Sequence, residues 1–141
     1  MIDVTKLSHI ISEYLKDKED VIAAYIYGSI GSEGEGKQSD LDIALLTHPF
    51  RNRRESYKAR IHYLHEIQRL VKMDVDLIFL QEVGELLAYQ VFKKGRIIFE
   101  RDKRSHVSFK ASKIIQCLDF QQIEKGMQKG MINAMRRERN G

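Results

Sequence analysis

The feature that most constrains the fold of this chain is a Gly-Ser pair followed, after ten residues, by Asp-Leu-Asp. Gly28 and Ser29 close an apolar run at 21–27 that is rich in strand formers. Asp40 and Asp42 open the next apolar run, at 41–47. Side chains alternate along a strand, so the two aspartates are expected to point to the same side of a sheet.

Two carboxylates held on one side repel each other unless a cation lies between them, and oxygen ligands suit Mg²⁺ or Mn²⁺. Gly28 permits close approach of the backbone, and Ser29 offers a hydroxyl and an N–H group to phosphates. A phosphate site beside a metal site indicates phosphoryl or nucleotidyl transfer. The alternative is a glycine-rich hairpin loop with two solvated aspartates.

A working metal site needs a third acidic residue, and the predicted strand at 75–80 supplies two candidates. Asp74 lies at the strand edge, where we expect it to cap or to face water, whereas Asp76 lies between Val75 and Leu77. Burying an unpaired carboxylate is costly, so a metal or a nearby cation is expected beside Asp76. The predicted catalytic and metal-binding residues are therefore Asp40, Asp42 and Asp76, with Asp76 also accepting the proton of an attacking hydroxyl.

The composition is that of one globular domain over residues 1–141, with a catalytic core at 1–104 and a helical C-terminal extension at 105–141. The 141 residues are 43% hydrophobic and 31% charged. A single cysteine, Cys117, excludes an internal disulfide. We see no signal peptide and no apolar run long enough to span a membrane, so we expect a cytoplasmic protein without a membrane partner.

The apolar periodicity predicts an α/β (α+β) domain. Helices are expected at 4–18, 50–72 and 84–94, and strands at 21–27, 41–47, 75–80 and 96–100. From 105 onward the pattern is helical again, with a break at Gly126 and Gly130.

The net charge of +4 comes largely from two basic runs, one in the middle of the chain and one at its end. We interpret these runs as solvated helix faces, because aromatic residues do not interleave with them as in a base-stacking surface. Direct nucleic-acid binding is not expected. The runs contain Arg51, Arg53, Arg54, Lys58, Arg60, Arg136, Arg137 and Arg139.

These motifs resemble the minimal nucleotidyltransferases of the DNA polymerase β-like superfamily. YIYGS resembles the family's strand and Gly-Ser turn, SDLD its Asp-x-Asp strand, and VDLIFL the strand with the third acid, which maps to Asp76. Downstream, LLAYQVFKKGRIIFERD and CLDFQ are similar to segments of the MNT-domain antitoxins. The resemblance covers nearly the whole chain.

The resemblance implies a nucleotidyltransferase fold: a small mixed β-sheet with helices packed mainly on one face and a helical C-terminal tail. It also implies an antitoxin of a type VII-like HEPN/MNT toxin–antitoxin system. Such an antitoxin transfers AMP from ATP, with Mg²⁺ or Mn²⁺, to a tyrosine of the cognate HEPN ribonuclease toxin. Gly28 and Ser29 would be the nucleotide-binding residues.

Two other functions remain open. The first is neutralisation of the partner by contact alone. In this case the acidic spacer at 30–39, with Glu33 and Glu35, prevents catalysis, and the methionine-rich, basic C-terminal helix docks on the toxin. A small-molecule nucleotidyltransferase, acting for instance on an aminoglycoside, is less favoured because the chain is short for a substrate domain.

Overall fold

The fold is a four-stranded mixed sheet with helices on both faces, as seen in a computed structural model that describes residues 3–28 and 40–140. The elements in chain order are α1 (Val4–Leu15), β1 (Val21–Tyr27), β2 (Leu41–Thr47), α2 (Arg53–Val71), β3 (Val75–Phe79), α3 (Glu85–Lys94), β4 (Arg96–Glu100) and α4 (Lys103–Asn140).

The strand order in the sheet is β3-β2-β1-β4. β1 pairs antiparallel with β2 and with β4, whereas β2 and β3 are parallel. The predicted mixed α/β architecture is confirmed, and β1, β2 and β4 begin and end at the predicted residues.

One sheet face is covered by α1 and α2. Ile11 and Leu15 of α1 and Tyr63 and Ile67 of α2 pack in a single buried cluster with alternate residues of β1, β2 and β3. A β-branched or aromatic strand residue buried in this way contributes about 1.5–3 kcal/mol to folding relative to its exposed state.

The opposite face is covered by α3 and the first half of α4. Tyr25, Ala44 and Leu46 of the sheet pack there with Val91 and Phe92 of α3. The expectation that helices pack mainly on one face therefore needs correction. The physical reason is that β1 and β2 carry apolar side chains on both faces, and each face must be covered.

α4 also differs from the expectation, because it continues without a break through Gly126 and Gly130. A glycine inside a helix costs about 1 kcal/mol relative to alanine, which weakens a long helix without ending it. After Cys117, which is buried, every described side chain of α4 is exposed. The distal half of α4 therefore extends away from the described part of the domain.

Candidate active site

The end of β1 places a glycine directly against a carboxylate. Tyr27, the last residue of β1, is the register partner of Asp42 in β2. The next residue, Gly28, has φ +89°, a conformation that glycine adopts without steric cost. A Cβ atom on Gly28 would lie 2.0 Å from Asp42 Oδ2, so no other residue fits here without moving the carboxylate. The Gly28 backbone therefore lies directly against the Asp42 carboxylate.

Parallel pairing of β2 and β3 brings two of the predicted carboxylates together. Asp42 and Asp76 are register partners on these adjacent strands. Each is followed two residues later by a side chain of the α3/α4 face, Ala44 in β2 and Ile78 in β3. Because alternate side chains of a strand share a face, Asp42 and Asp76 point to the face that α3 and α4 cover.

The electrostatics of the site are set by unneutralised negative charge. Partial burial raises the pKa of Asp42 above its ordinary value, and the charges of Asp76 and Asp40 raise it further. Burial, Asp42 and Asp76 together raise the pKa of Tyr27 to about 12, so its phenol stays neutral at physiological pH. Within residues 3–28 and 40–140, no lysine, arginine or histidine forms an ion pair with these aspartates.

This donor set fits a divalent cation. The charges of Asp76 and Asp40 disfavour the ionised form of Asp42, all three carboxylates offer hard oxygen ligands, and a bound cation would remove the repulsion at Asp42. In the described residues, however, no three acidic, histidine or cysteine side chains are already arranged to enclose a metal. Asp42 and Asp76 are the pair that would hold the ion, with Asp40 beside them.

The positions of the predicted residues differ in exposure. Asp42 is half-buried, whereas Asp40 and Asp76 are exposed, so the argument that Asp76 is buried within its strand was wrong. Asp76 is exposed because β3 is an edge strand of the sheet and none of the described residues covers this side chain. Asp74 is exposed and precedes β3, as expected. Ser29 and the spacer 30–39 lie outside the described residues.

Sequence reasoning missed Tyr27 as part of this site. Its ring packs beside the α3/α4 cluster, next to the carboxylates. The signal was available, because a residue directly before the Gly-Ser turn must pair with the start of the following antiparallel strand.

Comparison with known proteins decides the family. The sequence pattern described as "Polymerase beta, Nucleotidyltransferase" matches residues 9–104, which include the Gly28 turn and all three aspartates. The chain belongs to the polymerase beta nucleotidyltransferase family. A search of curated proteins found no match to this nucleotidyltransferase.

Solved structures similar to this nucleotidyltransferase include toxin–antitoxin complexes. A mutant MntA–HpeT complex is 19% identical with a TM-score of 0.70, covering 89% of this chain and 98% of that one. A toxin–antitoxin with AMP-PNP is 20% identical with a TM-score of 0.69 and the same coverage. The tri-AMPylated Shewanella oneidensis HEPN toxin in complex with MNT antitoxin is 19% identical with a TM-score of 0.67, covering 91% and 98%. At this identity the likeness confirms the fold.

Across the part of the chain that the structure describes, no helix is both long and apolar enough to cross a bilayer.

Proposed function

We propose that this nucleotidyltransferase is an antitoxin that transfers AMP from ATP to a tyrosine of a HEPN ribonuclease toxin. The observation that carries the proposal is the placement of Gly28 against Asp42, with Asp76 beside it on the neighbouring strand. A HEPN toxin as the partner that receives AMP is supported by similar structures, one of a tri-AMPylated HEPN toxin with its antitoxin and one of a toxin–antitoxin with AMP-PNP.

In the proposed reaction the tyrosine hydroxyl oxygen attacks the α-phosphorus of ATP. A new phosphorus–oxygen bond forms, the bond from the α-phosphorus to the bridging oxygen of the β-phosphate breaks, and pyrophosphate leaves. A divalent cation, Mg²⁺ or Mn²⁺, would supply charge neutralisation at the phosphate oxygens when bound. Asp76 accepts the tyrosine proton, for which its exposed carboxylate is open to an incoming protein side chain.

The remaining residues bind and orient the nucleotide. Gly28 allows the triphosphate to approach the backbone, because it lacks the Cβ atom that would displace Asp42. We assign Ser29 to the terminal phosphates, through its hydroxyl and N–H groups. Asp42 and Asp76, with Asp40 beside them, would hold the cation, and Asp42 is fixed by its place inside β2.

An AMP group on the toxin is bulky and negatively charged. Placed near the RNA site of a ribonuclease, it would repel the phosphates of the substrate. Modification of a single tyrosine would therefore be enough to neutralise the toxin.

The test mixes the purified chain with a candidate HEPN toxin, Mg²⁺ and ATP labelled at the α-phosphate, and measures the label and the intact mass of both chains. We expect a mass gain of one or more AMP units on the toxin. Asp42→Asn and Asp76→Asn should each reduce the transfer rate by at least about a hundredfold, the size typical of a lost charge-stabilising or acid–base group. Asp74→Asn is the matched control, because Asp74 is exposed and precedes β3. Equal transfer by Asp42→Asn and the wild type would contradict the proposal.

A second function, neutralisation by contact alone, is favoured by the distal half of α4. Met127 and Met135 there are 66% and 65% exposed, so they are free to pack on a partner. This function predicts a stable complex with the toxin and no adduct, and Asp42→Asn would neutralise as well as the wild type.

A further inference from the structure

The first half of α2 and the turn before it form a surface that contains none of the three aspartates and no proposed nucleotide-binding residue. It consists of Arg51, Arg53, Arg54, Tyr57, Lys58 and Arg60, and we refer to it as the α2 basic surface. Arg51, Arg53, Arg54 and Lys58 are exposed, and Tyr57 is 61% exposed, which is unusual for an aromatic ring of a folded domain.

The basic and aromatic side chains of this surface are neighbours on the helix. Arg53, Tyr57 and Arg60 follow one another at spacings of four and three, so they lie along one side of α2. The Arg60 guanidinium lies 5.9 Å from the centre of the Tyr57 ring, in cation–π contact. The exposed Tyr57 ring is therefore held against the Arg60 guanidinium group.

Few carboxylates lie near this side of the helix. Glu55 is the only one among residues 51–60; it is two positions from both Arg53 and Tyr57 and faces away from them, but it lies one turn before Lys58. The Glu82 carboxylate accepts a hydrogen bond from Ser56, one turn after Arg53. Throughout 3–28 and 40–140, none of the five cations of the α2 basic surface forms an ion pair. Their charge is available to an external anion.

The surface is remote from the aspartates. α2 follows the end of β2 at Thr47, and Asp42 is the second residue of that strand. Five residues of extended chain separate Asp42 from Thr47 by about 16 Å. A ligand on the α2 basic surface would therefore not occupy the proposed nucleotide site.

We propose that the α2 basic surface binds single-stranded nucleic acid. Arginine and lysine contact the phosphates, and the exposed Tyr57 ring stacks on an unpaired base, as in single-strand-binding proteins. This proposal departs from the sequence-based expectation against nucleic-acid binding, because the sequence did not show that Tyr57 is exposed and in contact with Arg60. Exposed cations beside an exposed aromatic ring match the alternating phosphates and bases of a single strand, so we favour nucleic acid over an acidic protein surface. This inference does not rest on the proposed adenylyl transfer.

The test is fluorescence polarisation of the full chain with a labelled oligouridine of about twelve nucleotides, and with the DNA of the same sequence. We expect binding at about 50 mM salt that weakens steeply toward about 200 mM. Tyr57→Ala should weaken binding on the order of tenfold through lost stacking, and Tyr57→Phe should bind as the wild type. Comparison of the RNA and the DNA tells whether the 2′-hydroxyl contributes.

A double variant, Arg54→Gln with Lys58→Gln, should lower the slope of log affinity against log salt by about 1.4, or about 0.7 for each lost phosphate contact. The matched control is Lys125→Gln with Lys129→Gln, which has the same net charge and alters exposed residues of distal α4. Thermal unfolding verifies that each variant is folded. Asp42→Asn should bind RNA as the wild type, so failure of the adenylyl-transfer proposal would leave this result unchanged.

Three results would overturn the inference. The first is no binding by the wild type at low salt, and the second is equal weakening by the control pair, which would indicate net charge alone. The third is unchanged RNA binding by the Arg54/Lys58 variant together with weakened binding to a HEPN toxin, which would identify the surface as a site for acidic protein.

Discussion

At the scale of single residues, Asp42 is the aspartate of this site whose ionised form is disfavoured by its surroundings. It is half-buried, it lies beside Asp76 in the parallel register, and the Gly28 backbone is pressed against its carboxylate. Burial, the charge of Asp76 and the charge of Asp40 disfavour its ionised form and raise its pKa. Such a residue destabilises the metal-free protein and is stabilised by what binds there, which is typical of functional sites.

The first prediction concerns Asp42→Asn without divalent cations. The midpoint of thermal unfolding should rise, because asparagine removes a charge that burial, Asp76 and Asp40 disfavour. Excess Mg²⁺ should raise the midpoint of the wild type and leave that of the variant unchanged. Asp74→Asn serves as the control and should respond to Mg²⁺ as the wild type does. A variant less stable than the wild type in EDTA would contradict this account.

The pH dependence of metal-free stability follows from the same residue. A pKa raised in the folded state means that the folded chain holds this proton more tightly than the unfolded chain does. The stability contributed by Asp42 is therefore greatest below the ordinary aspartate pKa and is lost as the pH rises through the raised value. Asp42→Asn should remove this part of the pH profile.

At the scale of elements, Arg101 joins the end of β4 to the end of α1. Its guanidinium donates hydrogen bonds to the carbonyl oxygens of Leu15 at 2.8 Å, Lys16 at 2.6 Å and Val21 at 3.1 Å. The last carbonyls of a helix have no partner within the helix, so a side-chain donor there stabilises both the helix end and the turn that follows.

We predict that Arg101→Ala lowers the free energy of unfolding by about 2 kcal/mol, because hydrogen bonds from a charged group are lost from several carbonyls at once. Arg101→Lys should recover less than half of this loss, since an ammonium group cannot reproduce the planar fork. Chemical denaturation measures both values. Lys125→Ala is the exposed control and should change stability by no more than about 0.5 kcal/mol. Full recovery by lysine would show that charge alone matters.

A second link between elements is a set of polar contacts among Tyr25, His106 and Glu100 that fixes the start of α4 to the sheet. The Tyr25 hydroxyl and His106 Nε2 are hydrogen-bonded, and His106 Nδ1 contacts the Glu100 carboxylate. Tyr25 and His106 are 1% and 2% exposed, so water does not replace these partners. Burial, with a smaller effect of Glu100, raises the pKa of Tyr25 to about 12.

The prediction for Tyr25→Phe has two parts. At neutral pH the free energy of unfolding should fall by about 1–2 kcal/mol, because the buried His106 nitrogen loses its partner. Above about pH 10 the wild type should lose stability up to about pH 12, since Tyr25 ionises in the unfolded chain first. The variant should lose stability less steeply in that range. Tyr57→Phe, at an exposed ring, is the control for both parts, and an unchanged alkaline slope in Tyr25→Phe would refute the pKa argument.

At the scale of the whole molecule, the fold separates a packed domain from a helical extension. Phe109 and Ile114 of α4 pack against the α3/α4 cluster. Cys117 is the last buried residue of α4 among the side chains that the structure describes. Apolar burial drives folding, so the domain requires the first half of α4 and gains little from the rest.

We therefore predict that a chain ending at Asp119 folds with a free energy of unfolding within about 0.5 kcal/mol of the full chain, as for changes of exposed surface. Denaturant titration compares the two chains. Binding of the truncated chain to a HEPN toxin, measured alongside, separates the two proposed functions, because neutralisation by contact through distal α4 requires the missing segment. Loss of cooperative unfolding on truncation would show that distal α4 belongs to the packed domain.

The amino-acid sequence alone was enough to predict the strands, their order along the chain and the pairing of two acidic residues across neighbouring strands. Alternation of apolar residues and the Gly-Ser turn are local signals, because a strand's period and a glycine's backbone freedom depend on neighbouring residues alone. Hence β1 and β2 were predicted to the residue, and Asp42 and Asp76 were chosen as partners before their register was known.

Which surfaces pack against each other could be seen only in the folded structure. The cover of both sheet faces, the exposure of Asp76 and the contact between Tyr27 and the carboxylates depend on strand order and on the packing of helices distant in sequence. The exposed Tyr57 and the continuity of α4 past Gly126 were hidden for the same reason. Burial is a property of the assembled chain, and local periodicity indicates which face of an element is apolar without indicating what packs on it.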